Sequence, residues 1–424
     1  MKRLCAFALT GLLPLAAHAA PVDVLFVGNS YTFGRVDPVM SYNTDKVTDL
    51  TAPSQGGNFL DQTGANAFEP RPWGGVPGIF KELTLQAGLD YNVSLSTRNA
   101  ASLRGHMLNL NPANWDMRGN LALKTWDQVV LQEQSDEVLP RQTNAAGNAL
   151  PSNPEFTRYF ADVIENFLHS TDSTGTIRYR EAFPGANNEA QAAACSAATG
   201  LSVGSCNLNR GSFSNPNASA DTEVYLYQTW ARPNLLDGAF ATSTDRVTGE
   251  VTRSTGLSLL THYDTLEAMT ADLVAGYQQT ADQAAADGTP GFKGAAPVGE
   301  AFLRAVQSGV ATRDFWGSDA LTDGLIDLWF DDGTHASKFG SYLSALVLFG
   351  TLTDLDPARF GAGEKAAADL GIDPFSARIL QRVASDQLGF TAVAPVPVPA
   401  SGMMAAFAMA LLGFVARGRR KAEL

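Results

Sequence analysis

Only 3 cysteines and 5 histidines occur among the 424 residues of this chain, and their scarcity narrows the chemistry open to it. The sequence contains no Cys-x-x-Cys pair, no His-Glu-x-x-His and no Gly-x-x-x-x-Gly-Lys-Ser/Thr. Thiol redox motifs, helix-borne zinc protease sites and phosphate-cradling loops are thereby excluded in their usual forms. Acidic side chains do cluster, at Asp319, Asp323, Asp327, Asp331 and Asp332. Their spacing departs from the EF-hand loop, so a solvated surface and no metal is the expectation there, and no motif implies a cofactor. Positive charge is short as well: 30 Lys and Arg stand against 43 Asp and Glu, a formal net charge of −13. Such a surface repels phosphate backbones and anionic lipid heads, which argues against nucleic acid and favours a neutral substrate.

With 45% hydrophobic residues the chain can bury a large core, yet its two terminal apolar runs carry the marks of targeting. Met1-Lys2-Arg3, an apolar run from Leu4 to Ala17, then Ala17-His18-Ala19-Ala20 is the charged, hydrophobic and small-residue order of a secretory signal peptide, assigned to residues 1–20. Cys5 precedes the apolar region and does not fit a lipoprotein cysteine. At the other end, after a linker at 390–395, Val396-Pro397-Val398-Pro399-Ala400-Ser401 leads into an apolar stretch from Gly402 to Ala416 and then Arg417-Gly418-Arg419-Arg420-Lys421. This end, residues 396–424, resembles the PEP-CTERM sorting signal of Gram-negative bacteria. The resemblance implies an exosortase-type sorting enzyme as partner, transient inner-membrane contact, and delivery to the periplasm, outer surface or extracellular matrix. The stretch is shorter than the ~20 residues of a stable span; a plain tail anchor is the alternative. Export agrees with Cys195 and Cys206, which lie close together in a Gly/Ser/Asn/Ala-rich segment and are expected to pair in an oxidising compartment.

Between the ends, a single domain is expected over residues 21–389. Val22 to Gly28 is a short apolar run rich in β-branched residues, read as a buried strand entering a turn. Tyr91 to Thr97, Gln128 to Gln132 and Glu223 to Thr229 are further strands. Helical patterns fill Val76 to Ala87, Phe156 to Leu168, Leu260 to Ala286 and Ala336 to Thr351. The alternation argues for an α/β fold with a parallel sheet covered on both faces. Two Gly-, Pro- and Asn-rich segments, at about 35–75 and 179–221, read as insertions. The first follows Ser30 closely, so Phe59 and Trp73, with Tyr31 and Phe33 before it, are candidates to line or lid a pocket; a surface excursion packed by its own aromatics is the other reading.

Gly28-Asn29-Ser30 falls where the first strand ends, the edge at which open α/β sheets hold their sites. A serine hydroxyl needs a base to become a nucleophile, and past the signal peptide the histidines are His106, His169, His262 and His335. His335 stands out in Asp331-Asp332-Gly333-Thr334-His335, because an acid three residues back on a turn can hold one imidazole nitrogen while the other faces Ser30. His106 is expected to be a half-buried structural residue. His169 is read at a helix end, where a cation suits the dipole, and His262 at the opening of another helix.

The first of these segments resembles the Gly-Asp/Asn-Ser block, and the last the Asp-x-x-His block, of SGNH (GDSL-type) hydrolases. Asn99-Ala100-Ala101-Ser102-Leu103-Arg104-Gly105-His106 and Trp126-Asp127-Gln128-Val129-Val130-Leu131-Gln132-Glu133-Gln134-Ser135 are similar to middle blocks of that family, so the resemblance spans about Val22 to Gly350. It implies a three-layer α/β/α sandwich of flavodoxin-like kind with a central parallel sheet. It also implies carboxylic ester hydrolysis with Ser30 as nucleophile, His335 as general base and Asp332 as its orienting acid. The oxyanion would be met by the Ser30 N–H, a second-block N–H and a third-block side-chain amide. The usual glycine of the second block stands here as Asn99 or Ala100, and the usual asparagine of the third as Gln132 or Gln134, with Gln134 the better by its offset from the strand. The expected substrate is an ester, O-acetyl groups on carbohydrate or exopolysaccharide before a lipid. A surface-displayed carbohydrate-binding or matrix protein that kept the fold without turnover is the alternative.

Overall fold

Val24, Leu25, Phe26 and Val27 give the first strand no polar face, and such a strand has to be covered on both sides. In the computed structural model, which describes residues 20–52, 68–108, 116–172, 174–316 and 324–390, that strand, β1 (Val22–Gly28), lies inside a six-stranded parallel sheet. Its other members are β2 (Thr48–Asp49), β3 (Tyr91–Thr97), β4 (Gln128–Leu131), β5 (Glu223–Tyr227) and β8 (Gly294–Ala296), in the order β2-β3-β1-β4-β5-β8. A separate antiparallel hairpin joins β6 (Phe240–Thr244) to β7 (Val251–Leu257).

The connections decide where a site can form. From β1 the chain crosses to β3 on one side, then returns past β1 to β4 on the other. Right-handed crossovers in opposite directions put their helices on opposite faces. Helix α2 (Gly75–Gln86) therefore covers one face, where Phe80 meets Phe26 of β1 at 5.4 Å between rings. Helices α3 (Leu103–Leu108), α5 (Pro154–His169) and α8 (Leu266–Ala284) cover the other and pack on one another. After β8 the chain comes back to the first face, with α10 (Lys338–Thr353) against α2 and α12 (Pro374–Gln387) against α10. The reversal happens at the carboxyl end of β1, and a parallel sheet opens a crevice at such a switch point.

The α/β architecture is the one expected, and β1 and β3 have the expected bounds. Other parts differ from expectation: β4 and β5 end at Leu131 and Tyr227, short of Gln132 and Thr229, where the parallel ladder stops. The helix read from Leu260 begins at Leu266, where Thr265 caps it by accepting from the Ala268 N–H, so His262 lies in a loop before the helix and does not open it. The hairpin and β8 were not anticipated: the hairpin is largely exposed, and Gly-Ala-Ala has little strand propensity of its own. The second insertion is not irregular throughout; it holds α6 (Asn188–Thr199) and α7 (Val203–Asn207). Trp73 and Phe33 are fully buried and stack at 3.7 Å between rings, and Tyr31 is buried too, so these three belong to the core and not to a lid. Phe59, Asp319 and Asp323, the N-terminal signal-like segment through residue 19 and the linker and C-terminal segment from residue 391 lie outside the described residues. Among the described residues no helix is long and apolar enough to cross a membrane.

Cys195 of α6 and Cys206 of α7 are bonded, with sulfurs 2.02 Å apart. Closing so short a loop restricts the unfolded chain by a modest amount, about 2–3 kcal/mol in the chain-entropy picture. The Cys195→Ser/Cys206→Ser double variant is expected to lose about that much stability, read from urea midpoints of the full chain.

Candidate active site

Gly28 ends β1 in a space that admits no side chain: a Cβ there would meet Thr32 Oγ1 at 2.3 Å and Gln132 Oε1 at 2.5 Å. The next residue, Asn29, caps a single helical turn, α1 (Ser30–Phe33), its side chain accepting from the Tyr31 N–H. Ser30 thus heads a turn set directly on the strand end. Its N–H is one of the orphan donors of a helix start and has no acceptor among the described residues.

The opposing turn comes from just before α10. Asp332 Oδ1 accepts the N–H groups of Thr334 at 2.8 Å and His335 at 2.9 Å, which folds the segment back on itself. The other oxygen, Oδ2, lies 2.6 Å from His335 Nδ1, and His335 Nε2 lies 2.9 Å from Ser30 Oγ. All three residues are buried. Burial alone would raise the Asp332 carboxyl, but the charge of His335, its ring hydrogen bond and the N–H groups of His335 and Thr334 outweigh it and bring the carboxyl down to about 2. An ionised Asp332 can only accept, so Nδ1 carries the ring proton and Nε2 is left to accept from the serine hydroxyl.

What holds the two turns in register was not visible in the motifs. The Thr334 carbonyl, one residue before His335, accepts from the Tyr31 hydroxyl at 2.8 Å and from the Trp230 indole N–H at 3.1 Å. Tyr31 immediately follows the serine, and its ring stacks on Trp230 at 4.1 Å and meets His335 edge-on at 5.6 Å. The histidine turn is therefore tied to the serine's own helical turn by a side chain next to that serine. Sequence separation hides this, since nothing in residues 31, 230 and 334 read singly signals that they touch.

The oxyanion candidates separate by geometry. Ala100 takes a positive φ of 55°, a conformation that favours glycine, whereas Asn99 is not among the positive-φ residues. Ala100 is thus the residue standing in a glycine-type backbone position. Its turn is stitched to the end of β1 by the Arg98 N–H to the Gly28 carbonyl at 3.2 Å and by Asn29 Nδ2 to the Ala101 carbonyl at 3.1 Å. The Ala100 N–H has no acceptor among the described residues. Gln132 does not suit the donor role: its Oε1 accepts from the Asn29 N–H and the Thr32 hydroxyl, both at 2.9 Å, and its Nε2 donates to the Glu133 carbonyl. That amide is consumed in closing the strand end. Gln134 presents Oε1 to Asn29 Nδ2 at 2.9 Å.

Glu133, between the two glutamines, is a further residue that sequence reasoning passed over. Its Oε1 accepts from the N–H groups of Leu103 at 2.9 Å and Gln134 at 2.7 Å, joining the Ala100 side of the site to the Gln134 side. Burial, with the nearby Glu137 charge, pushes its carboxyl up to about 8 against those hydrogen bonds.

The remaining histidines are accounted for away from Ser30. His106 is fully buried, not half-buried; it holds the Gly28 carbonyl at 3.0 Å, and burial lowers it to about 3, so it stays neutral. His169 ends α5 as expected; burial would lower its ring, but the hydrogen bonds to Glu165 and the Thr222 carbonyl and the Glu165 charge outweigh it and raise it, favouring the cation. Among the described residues Asp162, Glu165 and Asp287 form an acidic group compact enough to hold a cation.

Because folding lowers the Asp332 carboxyl from 3.8 to about 2, its contribution to stability is complete above the ordinary value and is lost as pH falls towards the folded one. Urea midpoints measured between about pH 5 and 2 are expected to fall less steeply for Asp332→Asn than for the parent.

No protein-family model and no curated protein matches the chain. Among solved structures it is similar to "a putative SGNH hydrolase from Slackia heliotrinireducens", at 16% identity and a TM-score of 0.34, over 78% of this chain and 100% of that one. It is also similar to a DUF4886 family protein from Bacteroides uniformis, at 14% identity and a TM-score of 0.39, over 89% of this chain and 98% of that one.

Proposed function

We propose that this chain is an exported serine esterase that removes small acyl groups, acetyl foremost, from carbohydrate. The observation that carries the reading is the unbroken contact from Asp332 through His335 to Ser30, at 2.6 and 2.9 Å. Ser30 Oγ attacks the ester carbonyl while its proton passes to His335 Nε2. Collapse of the tetrahedral intermediate expels the alcohol, which takes that proton from His335 and leaves the acyl group on Ser30. Water then attacks, giving its proton to His335; the acid departs and the proton returns to Ser30. Asp332 holds the ring in the required tautomer and offsets the imidazolium charge. The N–H groups of Ser30 and Ala100 and the amide of Gln134 meet the oxyanion.

Support for carbohydrate over lipid comes from the cavity beside Asp332, of about 230 Å³. It is lined by Arg35, Asp37, Thr244 and Thr248 together with Phe68 and Phe330, and by the apolar Val36 and Met40. A wall that mixes charged and hydroxyl-bearing residues with aromatic ones suits a sugar ring, whereas a long acyl chain calls for continuous apolar walls. Hairpin residues thus enter the reading as part of a substrate wall. The net acidity of the chain fits a neutral glycan, and the signal-like N-terminus and PEP-CTERM-like tail fit an enzyme sent outward.

Hydrolysis of a short-chain aryl acetate is expected for the parent and is expected to vanish in Ser30→Ala and His335→Ala. Asp332→Asn, which leaves the ring without its tautomer partner, is expected to lose roughly 10³- to 10⁴-fold in kcat. Acetylated xylan or a bacterial exopolysaccharide is expected to release acetate faster than a long-chain triglyceride releases fatty acid. Equal rates in the Ser30→Ala variant would overturn the mechanism; preference for the triglyceride would overturn the substrate class; a folded, inactive parent that binds glycans would favour a binding protein.

A further inference from the structure

We infer that Asn29, the residue before the nucleophile, is the positioning residue that turns the Gln134 amide so that its NH₂ and not its carbonyl faces the oxyanion. The inference rests on the serine-esterase reading and assigns a role within that site.

A side-chain amide is two-faced: one end donates, the other accepts, and the ends have nearly the same shape. A glutamine serving an oxyanion is useful only one way round. Reversed, it would set a carbonyl oxygen against developing negative charge. The hydrogen bonds fix which way round both amides stand, starting from a group that cannot be reversed. The Tyr31 N–H can only donate, so the Asn29 atom 3.1 Å from it is Oδ1. Asn29 Nδ2 is then the end that faces the Ala101 carbonyl at 3.1 Å and the Gln134 amide at 2.9 Å. The Ala101 carbonyl can only accept, which agrees with that assignment from the other side. Since Nδ2 can only donate, Gln134 presents Oε1 to it, and the Gln134 NH₂ is turned away from Asn29. No described residue takes that NH₂. Asn29 is almost wholly buried, 1% exposed, and its own N–H is held by Gln132 at 2.9 Å, so it has little freedom to rotate.

The same two hydrogens of Nδ2 reach both sides of the site. One holds the turn that bears Ala100; the other holds Gln134. Asparagine is suited to this because the position needs one acceptor, for the helix cap, and two donors. Aspartate keeps the acceptor and loses both donors. A carboxylate at residue 29 would draw the Gln134 NH₂ towards itself and swing the Gln134 carbonyl into its place.

Aryl acetate hydrolysis by the full chain separates the possibilities. Ser30→Ala, which tests the underlying reading, is expected to be inactive; if it is active the esterase reading itself fails, whatever the Asn29 variants do. With that reading upheld, Asn29→Asp is expected to lower kcat by roughly 10²- to 10³-fold, the usual effect of losing an oxyanion donor. KM is expected to stay near the parent's, while the thermal midpoint falls because a buried carboxylate then faces the Ala101 carbonyl. Gln134→Glu, which still accepts from Asn29 but offers no donor, is expected to show a similar loss and covers the case in which Asn29→Asp does not fold. Combining Asn29→Asp with Gln134→Ala is expected to lose less than the product of the two single losses, because both remove the same Gln134 donor and only the tie to the Ala101 carbonyl is lost in addition. Unchanged kcat in a folded Asn29→Asp or Gln134→Glu variant, or losses that multiply in the double variant, would overturn the assignment.

Discussion

At Gly28 the hydrogen-bond ladder of β1 gives way to side chains, and the way it is closed sets the geometry of everything around Ser30. The Asn29 N–H is taken by the Gln132 side chain, and the Gly28 carbonyl by His106 and the Arg98 N–H. A buried strand end with its peptide groups unpaired would cost several kcal/mol; paired in this way it becomes a fixed platform. Glycine at 28 is the condition for it, since any Cβ would displace Thr32 or Gln132. Ser30 stands on that platform at the switch point of the sheet, where the chain's two directions of crossover leave room for a ligand.

Electrostatics then divides the buried ionisable groups by task. Asp332 is held low by its hydrogen bonds and by His335, and stays charged where a charge is needed beside the imidazole. His106, as deeply buried, is held neutral at about 3 and serves as a structural donor. Glu133 is pushed up by burial while its oxygen gathers two N–H groups from opposite sides of the site. Similar burial yields opposite outcomes because the hydrogen-bond partners differ. The acidity of the chain as a whole does not predict any of these states.

Much of this site was legible in the sequence, and the reasons are physical. Gly-Asn-Ser and Asp-Gly-Thr-His are local arrangements: a strand end capped into a turn, and an acid folded back over three residues. β1 and β3 were readable because runs of β-branched and aromatic residues fill buried parallel strands. The two glutamines could not be told apart because they are two residues apart and would share a face even if β4, which ends at Leu131, ran on through them. Likewise the tie from Tyr31 and Trp230 to Thr334 joins residues far apart in the chain, and only the folded sheet brings them together. The hairpin of β6 and β7 escaped notice because its strands are mostly exposed and lack the apolar alternation of a half-buried pair. Trp73 and Phe33 illustrate the converse error, as aromatics near a site that proved to be core.

Turnover through Ser30 requires its covalent acylation, which rapid acid quenching during aryl acetate hydrolysis, followed by peptide mass spectrometry, reads directly. One acetyl group is expected on the peptide that contains Ser30, accumulating in His335→Ala if any acylation persists there and absent in Ser30→Ala. Turnover with no acetylated peptide, or with the acetyl group on a different residue, would contradict that role of Ser30.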